Sequence, residues 1–123
     1  MGSPMSTDNN CIFCKIVRGE IPSRKVYEDD EILAFHDIKP VTPVHFLMIP
    51  KEHVESMAHL EDRHAAVIGR LAVLAQRLAV EQGSSDGFRF ISNIGRVGRQ
   101  DVAHLHFHVL GGTEPLPGMI AHD

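Results

Sequence analysis

The sequence predicts an α+β fold: an antiparallel sheet of about five strands with one long helix and one short helix. Three observations predict it. Short apolar runs separated by turn residues fill residues 26–49, which is typical of an antiparallel meander. One long stretch with helical spacing follows at residues 62–82. Strand-like runs return after it, at residues 88–93 and 104–110.

The first half of the chain contributes the short helix and three strands. Residues 1–10 are polar and are expected to form a flexible tail, in which residues 1–5 are partly a cloning remnant. Residues 11–123 are expected to form a single domain. The short helix is predicted at residues 11–18 and ends at Gly19. Strands are predicted at residues 26–27, 32–35 and 45–49.

The long helix is predicted at residues 62–82 and ends at Gly83. Packing against a core is the expected role of its apolar face. The apolar residues with helical spacing are Ile68, Leu71, Ala72, Ala75, Leu78 and Ala79. A strand is then predicted at residues 88–93 and a loop at residues 94–101, before the strand that carries three histidines.

Composition narrows the functional classes. The chain has 123 residues, of which 43% are hydrophobic and 23% are charged, and its formal net charge is -4. Proteins that bind the nucleic-acid backbone usually carry a basic excess, so nucleic acid is not an expected partner. No apolar run approaches the roughly 20 residues of a membrane span, and residues 1–10 lack the apolar core of a signal peptide. The two cysteines indicate a reducing, cytoplasmic setting.

Three histidines alternate with apolar residues at residues 104–110. Alternate side chains of a strand point to opposite faces, so His104, His106 and His108 would share one face while their neighbours face a core. Two specific interpretations stay open: a metal site, or acid–base and nucleophilic chemistry. A third interpretation is that the three histidines are inert polar residues on a solvent-exposed face. As a nucleophile, the His106 imidazole would attack phosphorus, while its two neighbours orient it or donate to phosphate.

The loop that precedes the histidines favours phosphate chemistry. Two glycines within residues 94–101 let backbone N–H groups approach an anion. Two arginines in the same loop suit phosphate, and the amides of Asn93 and Gln100 add neutral polar groups.

Cys11 and Cys14 have the C-x-x-C spacing of half a zinc site. A structural zinc site needs two further ligands to complete a tetrahedron. A pair of reduced thiols without a metal is the competing interpretation. A thioredoxin-like redox pair is disfavoured, because no βαβ pattern surrounds the motif.

Residues 100–112, QDVAHLHFHVLGG, resemble the signature of the histidine triad (HIT) superfamily, and most of all its Hint branch of nucleotide-binding phosphoramidases. The resemblance extends over residues 11–118. It implies the HIT fold and a homodimer in which strands of two protomers join one continuous sheet. Other matching segments are Ile12-Phe13, Ile21-Pro22, Glu28-Asp29-Asp30, residues 34–38 and residues 45–53.

The resemblance implies a role for each site residue. His106 would be the nucleophile, and water would cleave the nucleotidyl-histidine formed on it. His108 would contact the α-phosphate together with Asn93, and His45 would help to orient the nucleophile. Asp37 would accept the ribose hydroxyls, which suits a carboxylate. The implied set is completed by base and ribose contacts at Ile21, Phe35, His36 and Ile38, and by loop positions near the phosphate at Gln100, Asp101 and Val102.

The resemblance also implies how the cysteine pair is completed. Many bacterial members add the histidine of a Lys-x-His segment and the first triad histidine, which here are His53 and His104. The implied zinc ligands are therefore Cys11, Cys14, His53 and His104. A closed site with four protein ligands has no open position, so this zinc would be structural. No organic cofactor is implied.

Asp101 and Arg99 depart from the Hint pattern, which commonly has serine and glycine at these positions. An ionised aspartate only accepts hydrogen bonds and would repel phosphate. It would instead accept a hydrogen bond from a leaving amine or turn away, and Arg99 would compensate its charge. The remaining histidines, which have no partner cluster in the sequence, are expected at the surface: His59, His64 and His122.

The function that the resemblance implies is hydrolysis of the P–N bond of purine nucleoside 5′-phosphoramidates, with a purine nucleotide of the AMP or GMP type as ligand. Three alternatives stay open. They are dinucleoside polyphosphate hydrolysis as in the Fhit branch, a nucleotide-binding regulatory module with weak catalysis, and a metal-binding protein whose triad histidines hold one ion. The Gly111-Gly112 ending and the C-terminal extension favour the Hint branch over the Fhit branch.

Overall fold

The computed structural model describes residues 9–121, and its centre is an antiparallel sheet, so the predicted α+β class is confirmed. Its five strands are β1 (Lys25–Glu28), β2 (Ile32–His36), β3 (Val44–Pro50), β4 (Arg89–Ile91) and β5 (Phe107–Gly111). They lie in the order β1-β2-β3-β5-β4. The first three form the predicted meander, and β5 returns between β3 and β4.

The short helix α1 spans Ile12–Val17, and the thiol of Cys11 caps it. The Cys11 Sγ accepts a hydrogen bond from the Cys14 N–H at 3.3 Å, which satisfies one of the free donors at a helix start. Gly19 follows the helix with a φ of +79°, a left-handed conformation that glycine adopts without steric cost. The Cys14 thiol is thereby fixed on the inner side of α1.

The long helix α2 spans Ala65–Glu81 and starts later than predicted, because residues Asp62–His64 form a turn of 3-10 helix. Most of the apolar face is as predicted, but Ile68 is only half-buried against the core. Ala72 is exposed and Leu74 is buried in its place. The buried stripe of α2 consists of Leu71, Leu74, Ala75, Leu78 and Ala79.

Strands β2 and β3 are apolar on both faces because helices cover both faces of the sheet. Ile32 and Phe46 belong to the cluster that packs against α2. Leu33 and Leu47 belong to a second cluster, which contains the buried residues of α1. A strand that is buried on both sides loses the alternation of polar and apolar residues, which explains the continuous apolar runs in the sequence.

The predicted histidine-bearing strand is shorter in the structure, since β5 begins only at Phe107. Before Phe107 the backbone makes hydrogen bonds to groups outside the sheet. The Leu105 N–H, for example, donates to the Val54 carbonyl at 2.7 Å. Side chains still alternate, because Leu105, Phe107 and Val109 all lie in the cluster under α2. The predicted strand at residues 88–93 is likewise shorter, with β4 limited to Arg89–Ile91.

His64 is buried, so the prediction that it lies at the surface is wrong. Its Nδ1 accepts a hydrogen bond from the Glu61 N–H at 2.9 Å and so caps the start of the helical segment. His59 is exposed, as predicted. His122 and residues 1–8 of the predicted tail lie outside the described residues. Within residues 9–121, no helix is both long enough and apolar enough to cross a membrane.

Candidate functional site

The His106 ring lies just before β5 and is nearly buried, with 2% of the residue exposed. Its Nδ1 is 2.7 Å from the backbone carbonyl oxygen of His104. A carbonyl oxygen only accepts hydrogen bonds, so Nδ1 carries a proton, and in the neutral ring Nε2 carries the lone pair. The backbone carbonyl of His106 is itself held by the Ser92 hydroxyl, which donates to it at 2.9 Å. The structure thus fixes both the position of this ring and the proton on its Nδ1.

Phe13 packs edge-on against the site, although the sequence analysis named it only in a matching segment and gave it no role in the site. Its ring centroid lies 5.2 Å from that of His106 and 5.5 Å from that of Phe35. Phe35, a predicted base contact, is buried in this cluster. Ile21 and Val102, also predicted contacts, pack against the same cluster. An apolar residue in a predicted helix carries no chemical signal in the sequence, so only the fold reveals the role of Phe13.

His108 is linked to His45 rather than to solvent. The Val41 N–H donates to His45 Nδ1 at 3.1 Å, so the proton of the neutral His45 ring is on Nε2. That Nε2 lies 2.9 Å from His108 Nδ1. His108 therefore accepts at Nδ1 and presents its own proton at Nε2. In this structure His45 contacts His108, and the resemblance had implied that it orients the nucleophile.

Burial keeps both of these rings uncharged near neutral pH. It is the main cause that lowers the pKa of His45, against a smaller opposing effect of the Asp37 carboxylate. Burial also lowers the pKa of His108, and the neighbouring His106 and His45 rings lower it further. The neutral forms are the ones that the chain of hydrogen bonds from Val41 requires.

Asp37 lies on the other side of His45, with its Oδ2 3.3 Å from His45 Nε2. Its Oδ1 accepts a hydrogen bond from the Lys39 N–H at 2.8 Å. Each carboxylate oxygen has a further lone pair for a ligand hydroxyl. Asp37 and His36 line one cavity of about 200 Å³. The other residues around that cavity are Arg24, Pro40, Pro43, Val44, His45 and Gln82.

Two predicted ligand contacts stand apart from the histidines. Ile38 is 93% exposed and offers an apolar surface to a ligand. Asn93 is half-buried and follows Ser92 at the end of β4. Among the contacts described within residues 9–121, none joins Ile38 or Asn93 to a triad histidine.

Gln100 uses its side chain to shape the loop before the triad. Its Oε1 accepts from the Gly95 N–H at 2.9 Å. Its Nε2 donates to the Val102 carbonyl at 2.9 Å and to the Glu55 carbonyl at 2.7 Å. Arg99 in the same loop has a φ of +63°, in the left-handed region that favours glycine. In the part of the chain that the structure describes, Asp101 forms its ion-pair contact with His106 and none with Arg99.

The two cysteines face two histidines, of which His53 follows β3 and His104 precedes β5. Cys11 Sγ lies 3.4 Å from His104 Nδ1, and Cys14 Sγ lies 3.3 Å from His53 Nδ1. All four ligand atoms lie within 4.8 Å of one another. A tetrahedral zinc with bonds of about 2.3 Å to sulfur and about 2.0 Å to nitrogen separates those two atoms by about 3.5 Å. The observed spacing fits that geometry.

His104 is oriented as a metal ligand should be. Its Nε2 donates to the Pro50 carbonyl at 2.9 Å, so the lone pair is on Nδ1 and points at the thiols. Burial is the main cause that lowers the pKa of His104, to about 4, which keeps the ring in the neutral form that metals bind. The Pro50 carbonyl is a backbone atom, and no residue type in the sequence indicates it.

The three triad histidines do not converge on one ion. Within residues 9–121, the groups that have metal-binding geometry are the Cys11, Cys14, His53 and His104 cluster and a second group of Asp37, His45 and His108. Neither contains all three. The alternative of a single ion held by the whole triad therefore finds no support in the structure.

Comparison with known proteins decides the family. The family model of the scavenger mRNA decapping enzyme C-terminal binding region matches residues 10–121. A histidine triad protein from Clostridium difficile is similar in structure with a TM-score of 0.86 and 46% sequence identity, over 92% of this chain and 98% of that one. This chain belongs to the histidine triad family. It is a HIT protein of the Hint-like branch, as residues 100–112 indicated.

Two plant relatives are similar along most of the chain. The adenylylsulfatase HINT1 of Arabidopsis thaliana is 44% identical over 110 residues, which is 88% of this chain and 75% of that protein. The 14 kDa zinc-binding protein of Zea mays is 44% identical over 109 residues, which is 87% of this chain and 85% of that protein.

The stability of this HIT protein is expected to fall as the pH drops below 6.5, the ordinary histidine pKa. Because the pKa of His108 is lowered in the folded state, the unfolded chain binds a proton first, and the free energy of unfolding decreases until the lowered pKa is passed. Denaturant unfolding on either side of pH 6.5 measures the slope. His108→Gln should reduce the slope and the exposed His59→Gln should not. Equal slopes in the unmutated protein and His108→Gln would contradict the prediction.

Proposed function

We propose that this HIT protein is a nucleotide hydrolase that cleaves the P–N bond of purine nucleoside 5′-phosphoramidates through a nucleotidyl-histidine on His106. The observation that carries the proposal is the pair of opposite tautomers on neighbouring rings. His106 offers a lone pair at Nε2, while His108 offers a proton at Nε2. Their ring centroids are 5.2 Å apart. A nucleophile and a donor therefore lie side by side, as phosphoryl transfer requires.

In the first step, His106 Nε2 attacks the α-phosphorus and the P–N bond breaks. The amine departs with the bonding electron pair and takes a proton from solvent water. In the second step, water attacks the phosphorus and the P–Nε2 bond breaks. This step releases the nucleoside monophosphate and one proton, and it restores the neutral ring. Dividing one difficult displacement into two easier ones is the advantage of a covalent intermediate.

His108 serves the phosphate in both steps. Its Nε2–H is positioned to donate to a non-bridging oxygen, where negative charge is concentrated. The hydrogen bond from His45 holds the ring in that tautomer. His45 is thus a positioning residue, because it acts through His108 and not on the substrate.

His45→Ala is expected to lower kcat by about 10- to 100-fold with a smaller change in KM, because His108 loses the partner that fixes its proton at Nε2. His45→Gln is the matched variant, since the glutamine amide can still donate to His108 Nδ1. Steady-state kinetics on adenosine 5′-phosphoramidate should show partial recovery in His45→Gln. An equal loss in both variants would rule out the hydrogen-bond explanation.

The nucleoside is assigned to the region around Asp37. The carboxylate can accept bonds from two vicinal ribose hydroxyls while it keeps its bond from the Lys39 N–H. The exposed side chain of Ile38 supplies apolar surface for a flat base. Contacts from Ile21, Phe35 and His36 complete the proposed base and ribose site, and Asn93, Gln100 and Val102 border the phosphate.

We assign a structural zinc ion to Cys11, Cys14, His53 and His104. The sulfur–nitrogen spacings of 3.3 and 3.4 Å fit a tetrahedral ion. The relative from Zea mays, named a zinc-binding protein, agrees with this assignment. The four protein ligands would saturate zinc, so the ion would hold α1 against the segment before β5 and leave the chemistry to His106.

Two further proposals concern the setting of the protein. A reducing, cytoplasmic location suits two free, buried thiols that serve as ligands.

A homodimer suits the position of β4 at the edge of the sheet and the 78% exposure of Val73 on α2. Light scattering at several protein concentrations measures the mass directly, and a monomer at all concentrations would contradict the dimer.

Trapping the intermediate tests the central proposal. The protein is mixed briefly with adenosine 5′-phosphoramidate, denatured and digested, and the peptides are analysed by mass spectrometry. An adenylyl group is expected on the peptide that contains His106, with fragmentation that assigns it to that ring. Turnover with no adduct, or an adduct on another residue, would contradict the assignment of the nucleophile.

A further inference from the structure

We propose that Asp101 determines which leaving groups this site accepts, by disfavouring those that carry negative charge relative to neutral or cationic amines. This inference rests on the proposed function and names a property of the same site. Sulfate and phosphate are the anionic leaving groups concerned. The relative from Arabidopsis thaliana, named an adenylylsulfatase, makes sulfate the natural comparison.

The position of the carboxylate carries the inference. Asp101 Oδ1 lies 3.3 Å from His106 Nε2, the nitrogen assigned to attack phosphorus. In a productive complex the phosphorus lies about 3–3.5 Å from its nucleophile, and the leaving atom is one bond further away. Whatever its direction, that atom is then within about 9 Å of Oδ1, which is inside the screening length of about 10 Å at moderate salt.

No arginine or lysine lies in ion-pair contact with Asp101 among the residues that the structure describes. A nucleophilic Nε2 carries a lone pair and no proton, so in the attacking form of His106 the carboxylate receives no hydrogen bond from this nitrogen. The side chain is 74% exposed, so it lies beside the nucleophile and in contact with solvent.

The two kinds of leaving group differ in how charge develops. When His106 attacks an adenylyl sulfate, the P–O bond breaks and the departing sulfate takes the electron pair, so negative charge increases near Asp101. When the P–N bond of a phosphoramidate breaks, the departing nitrogen takes a proton and leaves as a neutral amine. The carboxylate therefore repels the transition state for sulfate departure more than the transition state for amine departure. Of the two leaving groups, only the amine can donate a hydrogen bond to it.

The test compares kcat/KM for adenosine 5′-phosphoramidate with kcat/KM for adenylyl sulfate. In Asp101→Asn, the ratio is expected to shift toward adenylyl sulfate by about fivefold, the scale of one exposed charge–charge interaction. Asp101→Ser should give the same shift. Raising the ionic strength should reduce the preference in the unmutated protein and not in the variants. Asp30→Asn removes an exposed aspartate from the turn between β1 and β2 and serves as the control with an unchanged ratio.

The outcomes separate this inference from the proposed function. Turnover of both substrates with the same ratio in the unmutated protein and both Asp101 variants would overturn the inference alone. A shift in the opposite direction, or an equal shift in Asp30→Asn, would also overturn it. If the unmutated protein turned over neither substrate, the proposed function and the inference would fall together.

Discussion

Replacing His106 with alanine is expected to reduce hydrolysis of adenosine 5′-phosphoramidate by at least about a thousandfold, because the change removes the atom that forms the covalent intermediate. Binding of AMP should persist, since the proposed nucleoside contacts lie around Asp37 and the proposed phosphate donor, His108, remains. Single-turnover kinetics measures the chemical step, and calorimetric titration with AMP measures the binding.

A second variant guards against a structural explanation for this loss. The His106 ring is nearly buried and donates to the His104 carbonyl. In His106→Asn, the side-chain amide can keep that hydrogen bond but cannot act as a nucleophile. His106→Asn should therefore be folded and inactive, while the exposed His59→Ala should be fully active. Substantial turnover by His106→Asn would exclude the proposed intermediate.

Loss of the metal site is expected to have the largest effect on stability. The unmutated protein should contain one zinc per chain by elemental analysis, and a chelator should lower the free energy of unfolding by about 3–5 kcal/mol. The physical reason is that four ligands from three separate segments are tied together by one ion. Cys11→Ala should lose the zinc and become insensitive to the chelator.

Cys11 also caps α1, so a matched variant is needed to separate the cap from the metal. Serine is a good N-cap residue and a poor zinc ligand. Cys11→Ser should therefore keep the cap and still lose the zinc, with most of the destabilisation of Cys11→Ala. His106→Ala should keep its zinc. An unmutated protein without zinc, equally stable with and without chelator, would support the competing interpretation of two reduced thiols.

The parts of the fold that follow a period were predictable from the sequence. The period of two at residues 104–110 placed Leu105, Phe107 and Val109 in the core, and the helical period placed most of the buried stripe of α2. The start of β5 was not predictable, because it depends on where the Leu105 N–H finds a partner. That partner is the Val54 carbonyl, which lies 51 residues earlier in the sequence.

Residues of the candidate site could be proposed from the sequence wherever the chemistry lies in a side chain. The two cysteines and the histidines of the candidate site could be named from their spacing and family resemblance. The atoms that assign each ring its tautomer could not be named, because they are backbone groups: the Val41 N–H, the Pro50 carbonyl and the His104 carbonyl. Every residue type offers such groups, so only their position in space gives them a role. The burial of His64 was not predicted for a related reason. Its hydrogen-bond partner is the backbone N–H of Glu61, and that contact exists only once the helical segment has formed.

The alternation at residues 104–110 constrains how this part of the chain can evolve. One added or deleted residue after His106 would turn every later side chain of β5 to the opposite face. His108 would enter the packing under α2, and Val109 would face the proposed phosphate site. A point substitution alters a single side chain. A change of length by one residue would instead remove the proposed proton donor, His108, and the core residue Val109 together. We therefore expect related proteins to vary in the residue types of this segment but to keep its length.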